Sequence, residues 1–129
     1  MAEIKVLVVD DEVEFASALA ERLELRNFSC RVCHGGVAAL EEMKGNIPDV
    51  VVLDLKMPDM SGLDVLAVIK EKNPGIEVLM LTGHGSAASG VRGMEQGAFD
   101  YMMKPVDIGE LVHKIKLAGE KSRSTTGVR

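Results

Sequence analysis

Val50-Val51-Val52-Leu53-Asp54 is an aliphatic, β-branched run that stops on a carboxylate, and Val6-Leu7-Val8-Val9-Asp10-Asp11 repeats the pattern near the start of the chain. Short runs of this kind read as strands buried on both faces, where an acid is costly unless it lies at the strand's end with a partner. The three acids therefore mark strand ends. In an open α/β sheet, ligands bind outside the carboxyl ends of the strands, so Asp10, Asp11 and Asp54 gathered there point to a cation site.

The rest of the chain continues this rhythm. Strand-like runs at residues 4–9, 28–33, 49–53, 78–81 and 99–102 alternate with five helix-like stretches. Phe15, Ala16, Leu19, Ala20 and Leu23 recur at three- and four-residue steps, as do Leu63, Leu66 and Ile69, and Ile108, Leu111, Val112 and Ile115. Each set marks one buried helix face. Strict alternation with short connections predicts a parallel sheet with right-handed crossovers and helices on both sides, a doubly wound three-layer sandwich. Ser61 and Asp107 are N-cap candidates for the third and fifth helices, and Gly97 suits the residue after the fourth. Past Ala118 the apolar periodicity gives out, so residues 1–120 are read as one domain and 121–129 as a flexible tail or the start of a linker.

Composition narrows the function classes. A chain of 129 residues with a formal net charge of −5 fits one domain, and it carries no cluster of Lys and Arg of the kind a nucleic-acid surface needs. Direct nucleic-acid contact is not expected. Apolar stretches fall far short of the ~20 residues of a membrane span, and the N-terminus lacks a basic region followed by an apolar core, so a soluble cytoplasmic protein without membrane contact is expected. Cys30 and Cys33 form a C-x-x-C, but on one strand at this spacing their side chains point to opposite faces. They are read as two reduced, ordinary cysteines.

Five side chains converge on the carboxyl edge: Asp10 and Asp11 after the first strand, Asp54 after the third, Thr82 after the fourth and Lys104 just past the fifth. Two or three carboxylates with a backbone carbonyl suit a hard divalent ion such as Mg2+. The set also suits phosphoryl transfer to a carboxylate, with Asp54 as nucleophile, the ion screening donor from acceptor and Lys104 stabilising phosphoryl oxygens. An ionised aspartate needs no general base for this.

Val9-Asp10-Asp11-Glu12, Leu53-Asp54-Leu55-Lys56-Met57-Pro58-Asp59-Met60-Ser61-Gly62, Leu81-Thr82-Gly83-His84 and Gly97-Ala98-Phe99-Asp100-Tyr101-Met102-Met103-Lys104-Pro105, in this order and spacing, resemble the receiver domain of two-component response regulators. The resemblance runs from Ile4 to about Ala118. It implies a flavodoxin-like sheet of strand order 2-1-3-4-5 with five helices. It makes Asp54 the phosphoacceptor, with Asp10, Asp11, Asp54 and the Lys56 backbone carbonyl as ligands of Mg2+, or of Mn2+ in its place. Thr82 and Tyr101 become a switch pair that remodels the face made by the fourth helix, fifth strand and fifth helix, and Lys104-Pro105 a cis peptide. The implied donor is a phosphohistidine on a sensor histidine kinase or phosphotransfer protein, and the remodelled face is one a homodimer could use. Such a protein is a phosphoacceptor that assists its own phosphotransfer and dephosphorylation, not an enzyme acting on others.

Two other readings stay open. A phosphatase with an aspartate nucleophile uses a similar sheet, but that chemistry usually wants D-x-D after the first strand, whereas here the two acids are adjacent. A receiver-like interaction module could work without phosphorylation, though the complete acid, Thr82 and Lys104 set does not favour it. Tyr101 can equally be core filling, while its place three residues before Lys104 favours the switch. Lys56, two residues past Asp54, and His84, two past Thr82, are placed to tune the lifetime of an aspartyl phosphate. His34 and His113 read as surface residues. The fourth helix, expected over residues 86–96, contains Gly90 and Gly93, each costing about 1 kcal/mol relative to Ala. It is either marginal and mobile or closely packed against a neighbour.

Overall fold

The computed structural model describes residues 3–83 and 87–126. Its elements run β1 (Lys5–Val9), α1 (Val13–Glu24), β2 (Ser29–Cys33), α2 (Gly36–Gly45), β3 (Val50–Asp54), α3 (Gly62–Lys72), β4 (Glu77–Thr82), α4 (Ala87–Glu95), β5 (Asp100–Met103) and α5 (Ile108–Thr126). The five strands form one parallel sheet in the order β2-β1-β3-β4-β5. This is the doubly wound, flavodoxin-like α/β sandwich that the alternation and the motifs imply.

Alternate residues of the central strands feed two cores, one on each face. Val6, Val8, Val50, Val52, Leu79 and Leu81 pack with Leu19 and Leu23 of α1 and Leu111 and Ile115 of α5. Leu7, Val9, Val51, Leu53 and Met80 pack with Met43 of α2 and Val65, Leu66 and Ile69 of α3. Both β3 and β4 are buried along their whole length, which explains runs that are apolar without alternation. Cys30 belongs to the first core and Cys33 to the second, so the two thiols face opposite sides of the sheet and both are free. Burial pushes the Cys30 thiol up to about 12, which makes it an inert core residue.

Capping follows the sequence closely. Ser61 Oγ accepts the Asp64 N–H at 3.2 Å, Asp107 Oδ1 accepts the Gly109 and Glu110 N–H groups at 2.9 and 3.3 Å, and Gly97 has a φ of 101°. On α4, a Cβ at Gly90 would lie 2.7 Å from the Tyr101 ring, and one at Gly93 would collide with the end of Met80. Both glycines are therefore explained by close packing on β4 and β5, the second of the two readings.

The C-terminus departs from expectation. Residues 121–126, read as tail or linker, continue α5. Ser122 is buried, and Arg123 donates to the Glu3 carbonyl at 2.7 Å and to Asp49 Oδ2 at 3.3 Å. Polar contacts at the amino edge of the sheet hold this turn, so it leaves no apolar period in the sequence. Among the described residues no helix is long and apolar enough to cross a membrane.

Candidate active site

Strand register assembles the site. Val9 pairs with Leu53, so Asp10 and Asp54, each one residue further on, emerge side by side at the carboxyl edge. Thr82 pairs with Met103, and the Lys104 N–H donates to the Thr82 carbonyl at 2.8 Å, which carries Lys104 to the same edge. The Lys104–Pro105 peptide bond is cis.

Three carboxylates meet there: Asp10, Asp11 and Asp54 each offer an oxygen within 4.8 Å of the others. Asp10 and Asp54 are only 1% and 6% exposed. Like charges held this close in a partly dry pocket cannot all ionise freely. Asp54 shows the strain: burial, then the Asp10 charge, push its carboxyl up to about 6, against the pull of Lys104 and of the Lys56 backbone hydrogen bond, with Asp11 adding to the rise. Such a pocket has a standing demand for a hard cation, and its all-oxygen donor set fits Mg2+.

Lys104 answers that demand in part. Its Nζ lies 2.9 Å from Asp10 Oδ2, 2.8 Å from Glu12 Oε1 and 3.6 Å from Asp54 Oδ1. Burial alone would lower the ammonium's pKa, but hydrogen bonds to Asp10 and Glu12 and the Asp54 and Asp10 charges outweigh it and hold the group protonated. The ammonium also stands 4.5 Å over the Phe15 ring, a cation–π contact that roofs its stem on the α1 side. Among the described residues one lysine thus pairs with Asp10, Glu12 and Asp54.

The other Asp10 oxygen accepts the Glu12 N–H at 2.9 Å, orienting the carboxylate as the chain turns into α1. His34 is exposed, as read, yet its Nδ1 sits 3.0 Å from the Asp10 carbonyl, a contact that requires the Nδ1–H tautomer. Thr82 is fully buried, its hydroxyl 3.5 Å from the Met102 carbonyl. Tyr101 is partly buried in the second core with its ring against Gly90 of α4. The Lys56 side chain is exposed. His84 lies outside the described residues, so the Lys56–His84 pairing has no structural counterpart here.

Glu12 and Phe15 escape a reading of strand ends because both reach Lys104 from α1's start, some ninety residues away in sequence. The only available signal was a third acid directly after Asp10-Asp11.

The response regulator receiver domain model matches residues 6–116. The transcriptional regulatory protein CpxR of Escherichia coli (strain K12) is 40% identical over 112 residues, covering 87% of this chain and 47% of that protein. The photosynthetic apparatus regulatory protein RegA of Cereibacter sphaeroides is 34% identical over 119 residues, covering 92% of this chain and 65% of its own. The chain thus spans less than two thirds of these relatives. A response regulator receiver domain protein from Clostridium thermocellum superposes with a TM-score of 0.91 at 33% identity, over 95% of this chain and 98% of the other. With its sheet order, its acidic pocket and its lysine beyond the fifth strand, the chain belongs to the receiver domain family of two-component response regulators.

Proposed function

We propose that Asp54 is the phosphoacceptor of a signalling switch, taking its phosphoryl group from a phosphohistidine on a sensor histidine kinase or phosphotransfer protein. The observation that carries this is the placing of Asp54: a nearly buried carboxylate at a strand end, beside Asp10 and Asp11 and 3.6 Å from the Lys104 ammonium. An Asp54 oxygen attacks phosphorus, the P–N bond breaks, and its electron pair stays on the imidazole nitrogen, which takes up a proton. Lys104 then has phosphoryl oxygens to pair with in place of Glu12. Asp10, Asp11, Asp54 and the Lys56 carbonyl are the groups that would hold Mg2+, or Mn2+. When bound, the ion supplies charge that screens the anionic donor from the anionic acceptor.

The signal leaves the site through Thr82 and Tyr101. Thr82 Oγ1 contacts the Met102 carbonyl in this structure, and in the switch this hydroxyl turns toward the phosphoryl group on Asp54. Tyr101, packed on Gly90, joins that movement to α4 and so to the face made by α4, β5 and α5. That face would engage a target or a second copy. The protein works on its own aspartate and promotes its own dephosphorylation.

Incubation with acetyl phosphate and Mg2+, followed by intact mass, tests the proposal. One phosphoryl group is expected on the wild type and none on Asp54→Asn. Equal labelling of the two, or no labelling of the wild type, overturns it.

A further inference from the structure

The loop between β3 and α3, residues 55–61, leaves β3 directly after Asp54. Its ends are closed locally. The Leu55 N–H donates to the Leu81 carbonyl at 3.2 Å, and the Gly62 N–H to the Leu55 carbonyl at 2.8 Å. Its middle is held from outside, by α2. Asp59 Oδ1 accepts the Gly36 N–H at 3.1 Å and Oδ2 accepts the Val37 N–H at 3.0 Å.

These donors are the opening N–H groups of α2, where the N-cap residue, Gly35, brings no side chain to cap them. Asp59 therefore caps a helix to which it does not belong, from 22 residues away. The backbone donors Val37 and Gly36 hold its carboxyl below the usual range, as expected for a charged cap. Apolar packing follows the same line. A Cβ on Gly36 would lie 2.8 Å from Met60 Cβ, so the loop and the helix start meet at a distance that only glycine permits. The loop's contribution to the site lies three residues back, at Lys56, which follows Asp54 by two residues and whose backbone helps to hold the Asp54 carboxyl down against its burial.

We infer that Asp59 is a positioning residue for the phosphoacceptor pocket: its two-pronged cap on α2 fixes the middle of the loop and so keeps the Lys56 backbone set against Asp54. The inference rests on the reading of Asp54 as phosphoacceptor and adds a residue, Asp59, and a structural partner, α2, to that site. Asp59 touches neither the reacting atoms nor the other carboxylates. It acts by limiting the loop's freedom, so its removal weakens cation binding more than it slows transfer once the cation is saturating.

The test compares Asp59→Ala with Ala38→Gly, using the full chain. Ala38 is an exposed position inside α2, and glycine there loosens the helix by about as much as a lost cap while leaving Asp59 in place. Mg2+ titrations followed through backbone amide shifts should show binding weakened about five-fold in Asp59→Ala, the amount a typical cap is worth, and unchanged in Ala38→Gly. Without Mg2+, hydrogen exchange at the Lys56 amide should quicken in Asp59→Ala alone. Asp59→Asn, which keeps one acceptor oxygen, should fall between wild type and Asp59→Ala, and it replaces the latter if alanine prevents folding. Equal Mg2+ affinity in Asp59→Ala and wild type, or equal losses in Asp59→Ala and Ala38→Gly, overturns the inference. If the wild type neither binds Mg2+ nor takes up phosphate, the phosphoacceptor reading fails, and Lys56 exchange still decides whether Asp59 orders the loop.

Discussion

The two edges of one sheet handle buried acid in opposite ways. At the carboxyl edge, Asp10, Glu12 and Asp54 share the ammonium of Lys104, with Asp11 clustered beside Asp10 and Asp54. At the amino edge, Asp49 and Glu77 are met by Arg123 at 3.3 Å, Lys70 at 3.6 Å and Lys121 at 3.7 Å, and Asp49 Oδ2 also accepts the Lys5 N–H at 2.9 Å. One edge gathers its acids on one lysine, whereas the other brings a cation to each acid, although Glu77 Oε1 is left without a hydrogen bond. Burial alone therefore does not mark a functional carboxylate here, since Asp49 is as buried as Asp54. The balance of charge does, because the acids of the carboxyl edge outnumber the cations that the described residues bring to them.

The contrast is broken most forcefully at Asp49. Asp49→Ala strips an acceptor from the Lys5 N–H and from the Arg123 guanidinium in a nearly dry setting, and should lower unfolding free energy by about 3 kcal/mol. Denaturant melts give the value. A loss below about 1 kcal/mol would mean that the amino edge is no better satisfied than the carboxyl edge.

Asp54→Asn should move stability the other way. The Asp54 pKa is about 6 in the folded chain against an ordinary 3.8, so folding favours the protonated acid. Stability then declines as pH rises from about 4 through 6, and above that window the ionised group is a net cost. In EDTA, Asp54→Asn should match the wild type near pH 4 and exceed it by about 2 kcal/mol at pH 8. Mg2+ should shrink the difference by stabilising the wild type more. Parallel pH profiles for the two proteins would show that the pocket is not frustrated by charge.

What the sequence revealed of these edges follows from distance along the chain. Asp10 and Asp54 were legible because each ends an apolar run, and a local pattern announced its own interruption. The order of elements was legible for the same reason, as were the Ser61, Asp107 and Gly97 caps, which act within a few residues. Glu77 opens β4 and its partners Lys70 and Lys121 come from α3 and α5, so the sequence shows only an acid beside an apolar run. Its place at the opening of the run, and not at its end, is the one local difference from Asp54. Asp59 carries no local sign of its role because the N–H groups it binds belong to α2. The end of α5 was misread because apolar periodicity is the main sign of a buried helix face, and this last turn is buried through Ser122 and Arg123 instead.

Arg123 offers the smallest and most specific test of the contrast. Its guanidinium joins the end of α5 to the Glu3 carbonyl and to Asp49, tying the last helical turn to the residues before β1 and β3. Because the side chain keeps some contact with solvent, its removal should cost only about 1 kcal/mol. Amide exchange should quicken over residues 119–126 and stay unchanged in β1 and β4. The informative quantity is the double variant. If Arg123 and Asp49 neutralise each other, Asp49→Ala with Arg123→Ala should cost about 1 kcal/mol less than the sum of the single losses, since the second substitution removes a charge already left without its partner. Strict additivity would instead mean that Asp49 and Arg123 act independently, with Asp49 held by other partners, the Lys5 N–H among them. The difference between the edges at Asp49 would then not be one of pairing with Arg123.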